Sequence, residues 1–77
     1  MKVDWKEHIV SDPQILFGKP VIKNTRIPVD LILEKLSEGE TADHLLSAYP
    51  QLKMVDIYAC LAFGSESVTK QIVYELN

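Results

Sequence analysis

The sequence predicts a mainly α fold: a small three- to four-helix, helix-turn-helix-like (homeodomain-like) domain preceded by short N-terminal β-strands or an extended arm. Three observations predict it. Apolar residues recur at i, i+3, i+4 and i+7 in successive segments after Pro28. Each of those segments is bounded by a capping residue, a glycine or a proline. The residues before them hold three of the chain's four prolines, which excludes a long helix there.

In chain order, Ile9 and Val10 predict a short strand before the Ser11-Asp12-Pro13 turn. Phe17 to Pro28, with Gly18, Pro20, Asn24 and Pro28, reads as an ordered loop arm containing two short extended pieces, Val21-Ile22 and Arg26-Ile27. Asp30 is the expected cap of a first helix with the stripe Val29, Ile32, Leu33 and Leu36, stopped by Gly39 in a left-handed conformation. Thr41 caps a second helix through Ala42, Leu45, Leu46 and Tyr49, ended by Pro50. After Pro50-Gln51-Leu52, a third helix carries Met54, Ile57, Tyr58 and Leu61, and Gly64 is expected to end it. Ser65 to Leu76 places Val68, Ile72 and Leu76 on one side and reads as a fourth helix, although its β-branched and aromatic residues also suit a strand.

Composition sets the class. The 77 residues are 47% hydrophobic and 25% charged, which describes one ordinary globular domain over residues 1–77 and excludes a disordered tail. A chain this short buries a modest fraction of its surface, so a disulfide, a metal or a partner subunit is the usual supplement. Cys60 is the sole cysteine, so no intrachain disulfide forms. His8 and His44 are far apart, without CxxC or HxxxH spacing, and no metal or cofactor is expected. A homodimer is therefore the expected supplement. No run is long enough to span a membrane, and the first ten residues are charged where a signal peptide needs an apolar stretch, so the expected location is cytoplasmic.

Net charge is −3, unevenly spread. Residues 1–29 hold five cations and three acids (+2), whereas residues 30–77 hold three cations and eight acids (−5). Lys19, Lys23 and Arg26 concentrate the basic excess in the arm and are the candidate phosphate contacts, with a salt slope of roughly −2.7 if all three engage. The plainer reading of the arm is a solvated loop in which Arg26 pairs with Asp30 or helps orient the start of the first helix. Gln51 and Lys53, at the turn before the third helix, are the candidates to approach bases.

Catalytic motifs are not supported. Gly18-Lys19 fails as a phosphate loop, because Pro13 stands at the position of the required first glycine and Pro20 replaces the hydroxyl residue. Ser11, Asp12 and His8 lie in one short stretch, where three side chains rarely converge on one reacting atom. Cys60 sits in an apolar run and reads as an inert core thiol, and His44 as a solvated side chain. That run, Ile57 to Phe63 (IYACLAF), is too apolar for a major-groove recognition helix. It predicts burial on a second side, with Tyr58, Ala59, Ala62 and Phe63 as the interface to a second copy or a protein partner.

The residues Gly18-Lys19-Pro20-Val21-Ile22-Lys23-Asn24-Thr25-Arg26-Ile27-Pro28-Val29 carry a further signal. With Ile9-Val10-Ser11-Asp12-Pro13 upstream and the Tyr49-Pro50 and IYACLAF segments downstream, they resemble the bacterial family known as domain of unknown function 433, over about Ile9 to Phe63. Two positions depart from its pattern, GKPvIkGTRIpV: Asn24 replaces a glycine but tolerates a left-handed turn, and Phe17 replaces a glycine before Gly18 and adds an exposed or docking aromatic. The resemblance implies a small helical domain with a helix-turn-helix-like core, often dimeric, proposed in many cases as an antitoxin of a PIN-like ribonuclease toxin. It thus implies a non-enzymatic protein-binding module. The alternatives are a DNA-binding regulator acting on operator DNA and a structural dimerisation module. Residues 65–77 lie beyond the shared pattern, and a toxin-groove contact there is an expectation from amphipathicity alone.

Overall fold

The computed structural model describes residues 3–75, with side chains through Thr69. It contains two short strands, β1 (Ile9–Val10) and β2 (Val21–Ile22), and three helices, α1 (Val29–Ser37), α2 (Ala42–Ala48) and α3 (Met54–Glu75). A single 3₁₀ turn at Trp5–Glu7 and a left-handed turn at Leu16–Gly18 complete the N-terminal part.

The strands pair antiparallel, Ile9 with Ile22 and Val10 with Val21, and so close the arm into a hairpin. Its tip is a turn in which the Thr25 N–H donates to the Ile22 carbonyl at 3.0 Å and Asn24 adopts φ 65°. That positive angle at the third turn residue favours Gly or Asn. The Thr25 hydroxyl, donating to the Ile22 carbonyl and accepting from the Ile27 N–H, completes the turn. The second expected extended piece is not a strand: the bridge to Val21 is made by Pro28, and Arg26 points outward.

Pro28, not Asp30, occupies the N-cap position of α1. No side chain caps this end; the Val29 N–H donates instead to the Pro20 carbonyl at 3.0 Å, and Asp30 is the second helical residue, in the first turn near the positive helix end. The helix ends as expected: Gly39 at φ 93° lets the Glu40 N–H reach the Lys35 carbonyl and the Gly39 N–H the Leu36 carbonyl, both at 3.1 Å, a Schellman closure. Thr41 caps α2 by accepting the His44 N–H at 3.1 Å. Asp56 holds the start of α3 by accepting the Lys53 N–H at 3.0 Å.

The expected break at Gly64 and separate fourth helix do not exist; α3 runs unbroken for 22 residues to Glu75. One glycine costs a helix interior only about 1 kcal/mol. A Cβ at Gly64 would stand 3.2 Å from Leu33 of α1, so the glycine serves close helix approach and not termination. Ser67 and Thr69 return their hydroxyls to carbonyls four residues back, a bond compatible with continuing helix. Leu76 lies outside the described residues.

The core is one cluster of Ile9, Ile22, Ile27, Val29, Ile32, Leu45, Leu52, Ile57, Ala59 and Cys60. At its edge, Trp5 packs edge-to-face on Phe63 with ring centroids 4.9 Å apart and donates its indole N–H to Glu66 at 2.7 Å. The Trp5 turn thereby pins the N-terminus across the middle of α3. Trp5→Ala is expected to destabilise the fold by about 2–3 kcal/mol through lost aromatic packing and a lost charge-assisted hydrogen bond. Urea unfolding followed by circular dichroism checks this; a change under 1 kcal/mol contradicts the pinning role.

Candidate functional site

Two surfaces of different chemistry stand out. The first is a polar depression where the hairpin tip meets the turn between α2 and α3. Its larger lobe, about 840 Å³, is lined by Asp12, Pro13, Lys23, Asn24, Arg26 and Gln51 among others. An adjoining lobe of about 370 Å³ shares Lys23, Asn24, Thr25 and Gln51 and adds His8, Lys53 and Asp56. Four of the five expected nucleic-acid contacts, Lys23, Arg26, Gln51 and Lys53, therefore line one continuous surface although up to 30 residues separate them in sequence.

The fifth does not join them. The Lys19 ammonium pairs with the Asp30 carboxylate at 2.9 Å, and that hydrogen bond holds the Asp30 carboxyl below its usual pKa. The expected Arg26–Asp30 pair is thus replaced by Lys19–Asp30. Both partners are substantially exposed, so the pair contributes about 0–1 kcal/mol. Acids balance the depression: Asp56 caps α3 and faces His8 Nδ1 at 3.6 Å, and Asp12 accepts the Gln14 N–H at 2.9 Å.

The second surface is the outward side of α3. Tyr58, Leu61 and Val68 are each about half exposed, and Met54 and Val55 border them. Between Met54 and Thr69 the charged residues are Asp56, which is buried, and Glu66, which is bound to Trp5. The outward side consequently carries no charge over four turns.

The structure sorts the four expected interface residues. Tyr58 faces outward, Ala62 is partly exposed at the margin, and Phe63 is engaged with Trp5. Ala59 is fully buried in the chain's own core and cannot touch a partner. The apolar run is therefore split: Ile57, Ala59 and Cys60 fill the core while Tyr58 and Leu61 point away. Burial, and secondarily the nearby Asp56 charge, push the Cys60 thiol pKa up to about 12, so the thiol stays protonated near neutral pH and is no nucleophile. Among the described residues, no three His, Cys, Asp or Glu side chains gather as a metal site, and no helix is long and apolar enough to cross a membrane.

Phe17, expected from the sequence as an exposed or docking aromatic, is exposed. Leu16 and Phe17 adopt φ 49° and 58° ahead of Gly18 at 85°, forming a left-handed turn with the Phe17 ring entirely in solvent. The glycine that Phe17 replaces was the available signal.

A family model described as protein of unknown function (DUF433) matches residues 9–64. The uncharacterized protein y4eO of Sinorhizobium fredii (strain NBRC 101917 / NGR234) is 34% identical over 59 residues, 70% of this chain and 27% of that protein. The chain thus spans about a quarter of the length of this curated relative. The crystal structure of a DUF433 member protein from Anabaena variabilis ATCC 29413 superposes with a TM-score of 0.72 at 33% identity, over 87% of this chain and 65% of that one.

A bulky residue held left-handed is strained by about 1–2 kcal/mol. Phe17→Gly is therefore expected to raise stability by about 1 kcal/mol, part of the gain being lost to the greater freedom of glycine in the unfolded chain. A thermal or urea midpoint that falls instead would show that the ring has packing value in the folded domain.

Proposed function

The chain belongs to the DUF433 family, and on that premise we propose that it is a non-enzymatic protein-binding module, the antitoxin of a bacterial toxin–antitoxin pair that neutralises a PIN-like ribonuclease in the cytoplasm. The observation that carries the protein-binding part is the uncharged, apolar outward side of α3. Water-exposed Tyr58, Leu61 and Val68 on one helix face supply the anchors a partner needs, and exposed apolar surface this continuous marks an interaction site. The toxin as partner follows from the family resemblance. Inhibition is steric: α3 lies in a groove of the ribonuclease and covers its active cleft.

Co-expression with the product of the neighbouring reading frame tests the reading. The expected outcome is a stoichiometric complex without ribonuclease activity, and Tyr58→Asp is expected to weaken it by 10-fold or more while leaving the helical spectrum intact. A fully active ribonuclease in the presence of excess chain would overturn the assignment.

A second reading is favoured by the assembly of Lys23, Arg26, Gln51 and Lys53 along one depression beside the start of α3. In a helix-turn-helix regulator that region approaches DNA. Three engaged cations lead to a salt slope near −2.7 for binding to the chain's own upstream DNA, and Lys23→Ala is expected to reduce that slope by about 1. Retardation assays between 50 and 200 mM salt measure it; no binding at the low end removes this reading.

A further inference from the structure

We infer that the depression between the hairpin tip and the α2–α3 turn receives an unpaired strand of nucleic acid, with the Phe17 ring stacking on a base beside it. This rests on the reading of that depression as a nucleic-acid contact and deepens it by naming the form of the ligand.

Charge is the first argument. Among the described residues, Lys19 and Lys35 are paired with Asp30 and Glu40, and Lys6 lies over the Trp5 ring. Lys23, Arg26 and Lys53 have no carboxylate partner there, and all three line the depression. A chain of net charge −3 thus gathers its unneutralised Lys and Arg side chains, among those described, around one hollow, which suits a ligand carrying phosphates.

Shape is the second. Duplex DNA shows its base edges only inside a groove, so a protein reads them by pushing a helix or a ribbon into it. Here the cations line a hollow and not a ridge, and the exposed residues at the start of α3 are the uncharged Met54, Val55 and Tyr58. The backbone of a duplex can touch the rim, but its bases stay out of reach. A single strand is thin enough to enter. The larger lobe, about 840 Å³, falls in the range of about 300 to 1,000 Å³ common to small-ligand sites, which is room for a nucleotide.

The lining is the third. Val10, Pro13 and Ile15 offer apolar surface to a base, and the side-chain amides of Asn24 and Gln51, which make no hydrogen bond among the described residues, share the hollow with them. Asp12 accepts the Gln14 N–H through one carboxylate oxygen and leaves the other open. Beside the phosphates of a duplex that carboxylate repels; beside an unpaired base it accepts the imino and amino N–H groups that pairing would hide. The Phe17 turn adjoins this wall, since it follows Ile15 directly and a Cβ on Gly18 would stand 3.9 Å from the Pro13 backbone. The Phe17 ring is wholly in solvent on a strained turn, and stacking on a base supplies the contact that its own domain does not.

Fluorescence anisotropy with a labelled mixed-sequence oligonucleotide of about 12 nucleotides tests the inference, the probe being presented as a DNA strand, as an RNA strand and as the DNA duplex between 50 and 200 mM salt. At least one strand is expected to bind 10-fold or more tighter than the duplex, with a salt slope of about −2.1 for three phosphate contacts against about −2.7 on a duplex. The tighter of the two strands names the sugar. Phe17→Ala is expected to lower strand affinity about 5-fold or more and to leave duplex binding unchanged. Asp12→Asn keeps an acceptor for Gln14 but turns the open oxygen into an amide donor, and is expected to lower strand affinity about 3-fold or more although it removes a negative charge. Both variants are expected to keep the wild-type helical spectrum. A duplex that binds as tightly as either strand overturns the inference and leaves the duplex reading standing, whereas no binding of any form at 50 mM salt removes both. A strand preference untouched by Phe17→Ala overturns the stacking contact, and a gain on Asp12→Asn overturns the base contact by showing that phosphates alone are held.

Discussion

The structure depends on how closely the inner face of α3 admits its neighbours. Ala59, Cys60 and Gly64 are small, and they let α1, the hairpin and the Trp5 turn pack on a single helix. Gly64 makes the constraint most visible, since a Cβ there would stand 3.2 Å from a Leu33 methyl, closer than ordinary van der Waals contact. In a domain this small, one helix supplies a large share of the buried surface, and every other element is short and organised around it. The demand on that inner face also decides the outer one. Once the core has been served by one side of α3, Tyr58, Leu61 and Val68 are left about half exposed.

The hairpin obeys a different constraint, backbone conformation. Asn24 and Phe17 stand where the family pattern has glycine, and both have positive φ. The motif is thus read physically as a set of turn geometries: left-handed positions at Leu16 to Gly18 and at Asn24, prolines that set the entry to β2 and α1, and a threonine that ties the tip. The consequence is spatial. The tip and the α2–α3 turn border one depression, which Lys23 and Arg26 line together with Gln51 and Lys53. The motif fixes a shape that presents polar side chains, and needs no reactive group to account for it.

The site was legible to unequal degrees. Residue type and local spacing pointed to Lys23, Arg26, Gln51 and Lys53, because exposed cations in a proline-rich arm and polar residues in an interhelical turn are recognisable one at a time. That they share a surface was not, since strand pairing and helix packing bring them together across long stretches of chain. Lys19 carried the same signal as its neighbours but is occupied by Asp30, a partner eleven residues away on α1. The IYACLAF run showed too much apolar surface for one core, yet hydrophobicity alone could not say which members faced inward. Ala59 and Tyr58 are adjacent in sequence, and the helical turn places the first in the core and the second in water.

By itself the sequence determined what depends on short-range chemistry: the two strands, the cap at Thr41, the stop at Gly39, the left-handed Asn24 and the start of α3 after Pro50. Each follows from the conformational limits of a few adjacent residues. Only the tertiary structure decided the unbroken passage of α3 through Gly64, the orientation of its faces and the partner of Asp30. The reason is that each depends on which distant atoms fill the adjoining space. Gly39 ends one helix at φ 93°, whereas Gly64 stays inside another, where a Cβ would stand 3.2 Å from the Leu33 side chain.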